Sequence, residues 1–98
     1  MIVNVFALFD TKAQYFTAPW FYPHAGQAIR ACIDLGSDLN TTVGRHPADF
    51  HLYQIATYDD QTAALAAHAP VSLGVVTSFL PSLAPAPLFE QTAQREKF

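Results

Sequence analysis

The sequence predicts an α+β domain: a small antiparallel sheet of about four strands in two hairpins, with one main amphipathic helix packed on it and an extended, proline-rich C-terminal segment. Three observations lead there. Two strand-like apolar runs end in aspartate-containing turns, near residues 10–13 and 59–62. A stretch of helical period lies between them, and Pro81, Pro85 and Pro87 crowd the region that follows the second hairpin.

In MIVNVFALFD both alternating faces are apolar, with Val3, Val5, Ala7 and Phe9 on one and Ile2, Phe6 and Leu8 on the other. Such a strand expects cover on both sides. Asp10 opens the turn DTKA, where its carboxylate can accept from nearby backbone N–H groups, and QYFTA returns as a second strand. In PWFYPH, Trp20, Phe21 and Tyr22 stand between Pro19 and Pro23. Proline cannot donate to a sheet ladder, so this stretch reads as an edge or a connection.

Ala25, Ala28, Ile29, Cys32 and Ile33 recur at three- and four-residue spacing, while Gln27, Arg30, Asp34 and Ser37 fall opposite, which predicts a helix of about three turns. Gly36 is expected to close it in the left-handed conformation, ahead of a loop over 39–49. FHLYQIATY then alternates, with Leu52, Gln54, Ala56 and Tyr58 on one face and His51, Tyr53, Ile55 and Thr57 on the other. After DDQT, residues 62–68 are alanine-rich and suit a second hairpin strand or a helix; residues 71–80 suit a short helix or a further strand. The two hairpins form a weak pseudo-repeat. The expected organisation is one domain over 1–80 and a tail or arm over 81–98.

A chain of 98 residues, half of them apolar, suits a single core. The net charge of −3, with only Lys12, Arg30, Arg45, Arg95 and Lys97 as cations, counts against a protein that coats nucleic acid by bulk electrostatics. Cys32 is the only cysteine, so no disulfide forms within the chain, and its place on the apolar helix stripe makes it a small hydrophobe rather than a nucleophile. No apolar run approaches the roughly 20 residues that cross a bilayer, so a cytoplasmic protein without membrane contact is expected.

Phosphate-loop, nucleophile-elbow and dinucleotide patterns are all missing, so neither an enzyme nor a cofactor is expected. His46, Asp49 and His51 are metal-ligand residue types, but their spacing matches no metal motif and His-Pro-Ala-Asp is good turn chemistry. No metal is assigned. Asp59 and Asp60 read as turn formers rather than as an acid and base pair. The remaining polar set is Lys12 at a hairpin tip, Arg30 on the polar helix face, and Arg45 and His46 beside Gly44. With Tyr15, Trp20, Phe21 and Tyr22 it offers the mixture of cations and stacking rings that holds single-stranded nucleic acid. The competing reading places those aromatics in the core and leaves the cations as ordinary solvated charges.

NVFALFDTKAQYF, AGQAIRAC and GRHPADFHLYQIATYDDQTAAL together, over roughly residues 2–80, resemble the small non-structural DNA-binding protein of gokushovirus-type phages in the Microviridae. The shared pattern falls on Asp10–Lys12, Ala28–Arg30, Gly44–Asp49 and Asp59–Asp60. Arg45 stands where that pattern has lysine, and Ala63 stands where glycine often follows the threonine. The resemblance implies a phage protein that binds single-stranded viral DNA in the host bacterial cytoplasm, between genome replication and packaging. A homodimer or higher oligomer would gather the few cations and cover the first strand. The alternative is a module that binds phage replication or capsid assembly proteins, or a host factor, through Trp20–Tyr22 and the C-terminal segment.

Overall fold

The computed structural model describes residues 1–81; of the expected proline-rich tail or arm over 81–98, all but the first residue lies outside them. The architecture is the expected α+β one. Strands β1 (Ile2–Asp10), β2 (Tyr15–Phe16), β3 (Trp20–Tyr22), β4 (Phe50–Asp59) and β5 (Ala64–Val75) form a single antiparallel sheet, ordered β2-β1-β4-β5, with β3 also on β1. Helix α1 (Ala25–Gly36) is the main helix. The single turns α2 (Thr42–Arg45) and α3 (Val76–Phe79) join it.

β2 and β3 lie in succession along the same edge of β1, pairing with Phe9 to Asp10 and with Asn4 to Phe6. Thr17 bridges the gap, its N–H donating to Leu8 O at 2.8 Å and its hydroxyl accepting from Leu8 N–H at 3.1 Å. The Pro19–Pro23 segment is therefore an edge strand, where a missing donor costs little. Of the stretches ambiguous in sequence, 62–68 and 71–80, the residues Ala64–Val75 form β5 after a turn through Ala63, and the chain turns helical only at Val76.

The two hairpin turns share one geometry. Asp10 Oδ1 accepts from Lys12 N–H at 3.0 Å, and Asp59 Oδ1 accepts from Gln61 N–H at 2.9 Å. Each turn then closes on a residue with positive φ, Gln14 at 63° and Ala63 at 62°. Their N–H groups reach back to Asp10 O at 2.8 Å and Asp59 O at 2.7 Å. The pseudo-repeat in the sequence thus marks a repeated turn, and Ala63 occupies a conformation that favours glycine.

The core lies between α1 and one sheet face. It joins Phe6, Leu8, Phe50 and Leu52 to Ala28, Cys32, Val43 and Val76, with Trp20, Tyr22, Ile29 and Leu80 packed around them. Burying each large aliphatic or aromatic side chain contributes roughly 1.5–3 kcal/mol. A polar chain crosses the margin of this layer. Gln54 Nε2 donates to Asn4 Oδ1 at 3.2 Å, and Asn4 Nδ2 donates to Pro23 O at 2.9 Å, fixing where the chain turns into α1. His24 N–H donates to the Gln27 side chain at 3.1 Å at the helix start.

Two sequence expectations are corrected. Gly36 does not close α1 through a left-handed φ; it remains helical, and Ser37 caps the helix with φ −95°. Gly36 is needed for space, because a Cβ there would sit 2.9 Å from the side chains of both Leu80 and Val76. The alternation of β4 also does not hold through its length. A bulge sets Val5 opposite Ala56 but Phe6 opposite Gln54, leaving Ile55 as the extra residue. Beyond it the faces exchange: Leu52 and Gln54 share the helix side with Thr57, while His51 and Tyr53 share the other side with Ala56 and Tyr58.

Two substitutions test this geometry by denaturant unfolding. Ala63→Gly is expected to stabilise the domain by about 0.5–1 kcal/mol, since glycine relieves the positive-φ cost and gives back part of it as backbone entropy. Gly44→Ala is expected to destabilise it by about 3 kcal/mol, because the added Cβ would lie 1.8 Å from Asp38 O and 2.9 Å from Leu35 O, both backbone atoms.

Candidate nucleic-acid interface

The GRHP segment is built around that glycine. Thr41 caps α2, its hydroxyl accepting from Gly44 N–H at 2.9 Å and lying 2.9 Å from Leu35 O and 2.8 Å from Asp38 O as a donor. Gly44 is buried against the end of α1, so its role is backbone packing and it offers no surface to a phosphate. Arg45 and His46 emerge exposed from the same turn. Arg45 Nη1 donates to Leu39 O at 3.1 Å, which holds the guanidinium along the loop.

Lys12 and His46, far apart in sequence, line one cleft of about 340 Å³ with Asp10, Thr42, Asp49 and Phe50. The link is structural: Thr11 donates to Asp49 O at 2.9 Å from both its N–H and its hydroxyl, pinning the first hairpin turn to the start of β4. Arg30 lies elsewhere, in a cleft of about 220 Å³ with Tyr22, Gln27 and Asp34. Tyr22 and Trp20 meet edge to face at 6.3 Å, both half-buried on the helix side of the sheet. Tyr15 is exposed at the sheet edge opposite Asp10. The sequence-named candidates thus occupy separate places, with Lys12, Arg45 and His46 at one end of the domain.

Among the described residues no helix covers the other face of the sheet. Register places Val3, Val5, Ala7 and Phe9 of β1 there, with Phe16, Phe21, His51, Tyr53, Ala56, Tyr58 and Leu65 from the neighbouring strands. Phe16 and Tyr53 meet at 5.6 Å and Phe21 and Tyr58 at 5.6 Å, both close to perpendicular. In each pair the partners come from strands on opposite sides of β1, so their rings meet above it. That roof explains why Val5 and Ala7 are 2% and 0% exposed on a face that no other layer of the described residues covers. Phe9 packs against Phe16 with ring centroids 4.8 Å apart and planes tilted by 53°.

These rings leave much of their surface to solvent, with Phe16 42% and Phe21 48% exposed. The assigned positions include no Asp, Glu, Lys or Arg. Phe9, Phe16, Tyr53 and Tyr58 were not among the sequence candidates. The β1–β2 turn marks Phe9 and Phe16 as neighbours, but the bulge that brings Tyr58 to this side leaves no sequence signature.

Among the described residues no three His, Cys, Asp or Glu side chains converge to hold a metal ion. His46 and Asp49 share the Lys12 cleft, whereas His51 lies opposite Phe9 on the aromatic face. No helix of the described chain is long and apolar enough to cross a membrane. Cys32 is fully buried, and burial pushes its thiol from the ordinary 9.0 up to about 11. Folding therefore favours the protonated thiol, and this contribution to stability is full below 9.0 and is lost as pH rises toward about 11. At mildly alkaline pH an aromatic disulfide reagent is expected to leave the native thiol unmodified and to label it rapidly in denaturant; rapid labelling of the folded protein contradicts this burial.

No curated protein and no solved structure matches the chain. A family model does, described as phage ORF5 protein and aligned over residues 3–79, from the first strand through the single turn that follows β5. That span takes in the core, both hairpins and the GRHP segment, and the chain belongs to the phage ORF5 protein family.

Proposed function

We propose that this phage protein is a non-enzymatic binder of single-stranded DNA, of the gokushovirus type within the Microviridae, acting in the host bacterial cytoplasm between genome replication and packaging. The observation that carries this reading is the aromatic face that no helix of the described residues covers. Single-stranded nucleic acid is bound by rings on which successive bases stack, and every base has a face to offer. Phe16, Phe21, Tyr53 and Tyr58 supply rings on one side of one sheet. Lys12, in the turn between Phe9 and Phe16, and Arg45 supply cations at that end of the sheet, with His46 beside Lys12. Phage family membership agrees with a role on viral DNA, and the resemblance in the Asp-Thr-Lys and Gly-Arg-His-Pro motifs narrows it.

Stacking also fits the acidic balance of the chain. A binder that draws on base contact needs few phosphate contacts, so its affinity should fall only gently with salt. The same lack of charge favours a second reading, in which the face receives an apolar surface of a phage replication or capsid assembly protein.

A titration with labelled single-stranded oligonucleotide over a salt series separates them. Lys12→Ala is expected to weaken binding for all sequences and lower the salt slope by about one. Phe21→Leu, which keeps an apolar side chain on the edge strand, is expected to cost about 1–3 kcal/mol of affinity. Failure of the intact protein to bind any oligonucleotide at low salt removes the DNA reading.

A further inference from the structure

The β4–β5 hairpin reaches past the core. Every residue from Gln61 to Ser72 is exposed, although Ala64 to Ser72 are in strand conformation. β5 ends the sheet order, so its outer edge has no strand partner among the described residues. Folded proteins usually blunt such an edge with charge, and lysine is the common choice. Here no Asp, Glu, Lys or Arg occurs between Asp60 and Pro81, and the run Ala63–Ala69 reads AALAAHA. Pro70 falls in an irregular stretch, where residues 68–70 lie against Ile55 alone, and leaves the run before it free of proline.

We propose that this edge pairs with β5 of a second copy of the chain, antiparallel, to make one sheet across a two-fold dimer. Three features select a second copy over another partner. A strand edge is complementary to its own antiparallel copy, so a single surface serves both sides. Identical edges avoid like-charge repulsion when they carry no Asp, Glu, Lys or Arg, and this one carries none. The small alanine side chains place nothing bulky beside the backbone groups that must come together.

Geometry adds a restriction. Side chains alternate along a strand and directly opposed residues share a face, so a symmetric antiparallel pair must set one residue opposite its own copy. With Pro70 bounding the run, that residue is Ala66 or Ala67. The two-fold axis stands perpendicular to the sheet, which keeps the aromatic faces of both copies on the same side. Their rings then line one continuous surface, and the Lys12 ends lie at its two extremes. This pairing is independent of the DNA reading, since it concerns a different edge and needs no nucleic acid.

Sedimentation of the full chain without DNA tests it. The wild type is expected to show a reversible dimer. Ala66→Lys with Ala67→Lys, and separately Ala66→Asp with Ala67→Asp, set like charges against themselves at exposed positions. Each is expected to raise the dissociation constant by about tenfold or more. A mixture of the two variants is expected to regain the dimer at low salt, a recovery that misfolded chains would not give. A wild type that stays monomeric at the highest concentration, variants that dimerise as well as wild type, or a mixture that stays monomeric overturns the proposal.

Discussion

The structure depends on the burial of β1 from both sides by different means. On one side Phe6 and Leu8 enter the helix-packed core beside Leu52, the conventional arrangement for a sheet with a single helical layer. On the other, Val5 and Ala7 are sealed by rings that lean over from strands to either side. Among the described residues the central strand is thereby closed without a second layer, leaving an aromatic surface free of Asp, Glu, Lys and Arg. A second subunit is not needed to cover β1, so the case for dimerisation rests on the β5 edge instead.

That surface depends on one residue. Without the bulge at Ile55, β4 would alternate regularly and Tyr58 would point to the helix side, away from Phe21. The bulge admits both Tyr53 and Tyr58 to the open face, and so makes two bridges over β1 rather than one. On the helix side, the same shift leaves Asn4, Thr57 and Gln54 as the polar margin of the core, where Asn4 ties β4 to the chain reversal at Pro23.

Much of the fold was legible in the residues themselves. The doubly apolar first strand, the three-turn helix and the two aspartate turns each rest on local chemistry, and local chemistry is what a sequence displays. Gly36 and Gly44 were harder. Gly36 looked like a helix-closing glycine and Gly44 only like the neighbour of Arg45 and His46, yet each serves close packing between segments brought together only by folding. The alanine-rich run after Thr62 was ambiguous because its propensity opposes its strand state, which pairing with β4 decides. The candidate site was legible in residue types but not in arrangement. Lys12 and His46 converge through hydrogen bonds from Thr11 to Asp49, whereas the open aromatic face arises from a register shift.

The central claim is that single-stranded DNA lies on the aromatic sheet face. Ultraviolet cross-linking of the bound complex, with the attached residues identified by mass spectrometry, addresses it most directly. Cross-links at Phe16, Phe21, Tyr53 or Tyr58 are the result expected. Cross-links confined to Tyr15, Trp20 and Tyr22 in a complex that still forms would contradict it and place the DNA at the sheet edge or on the helix side.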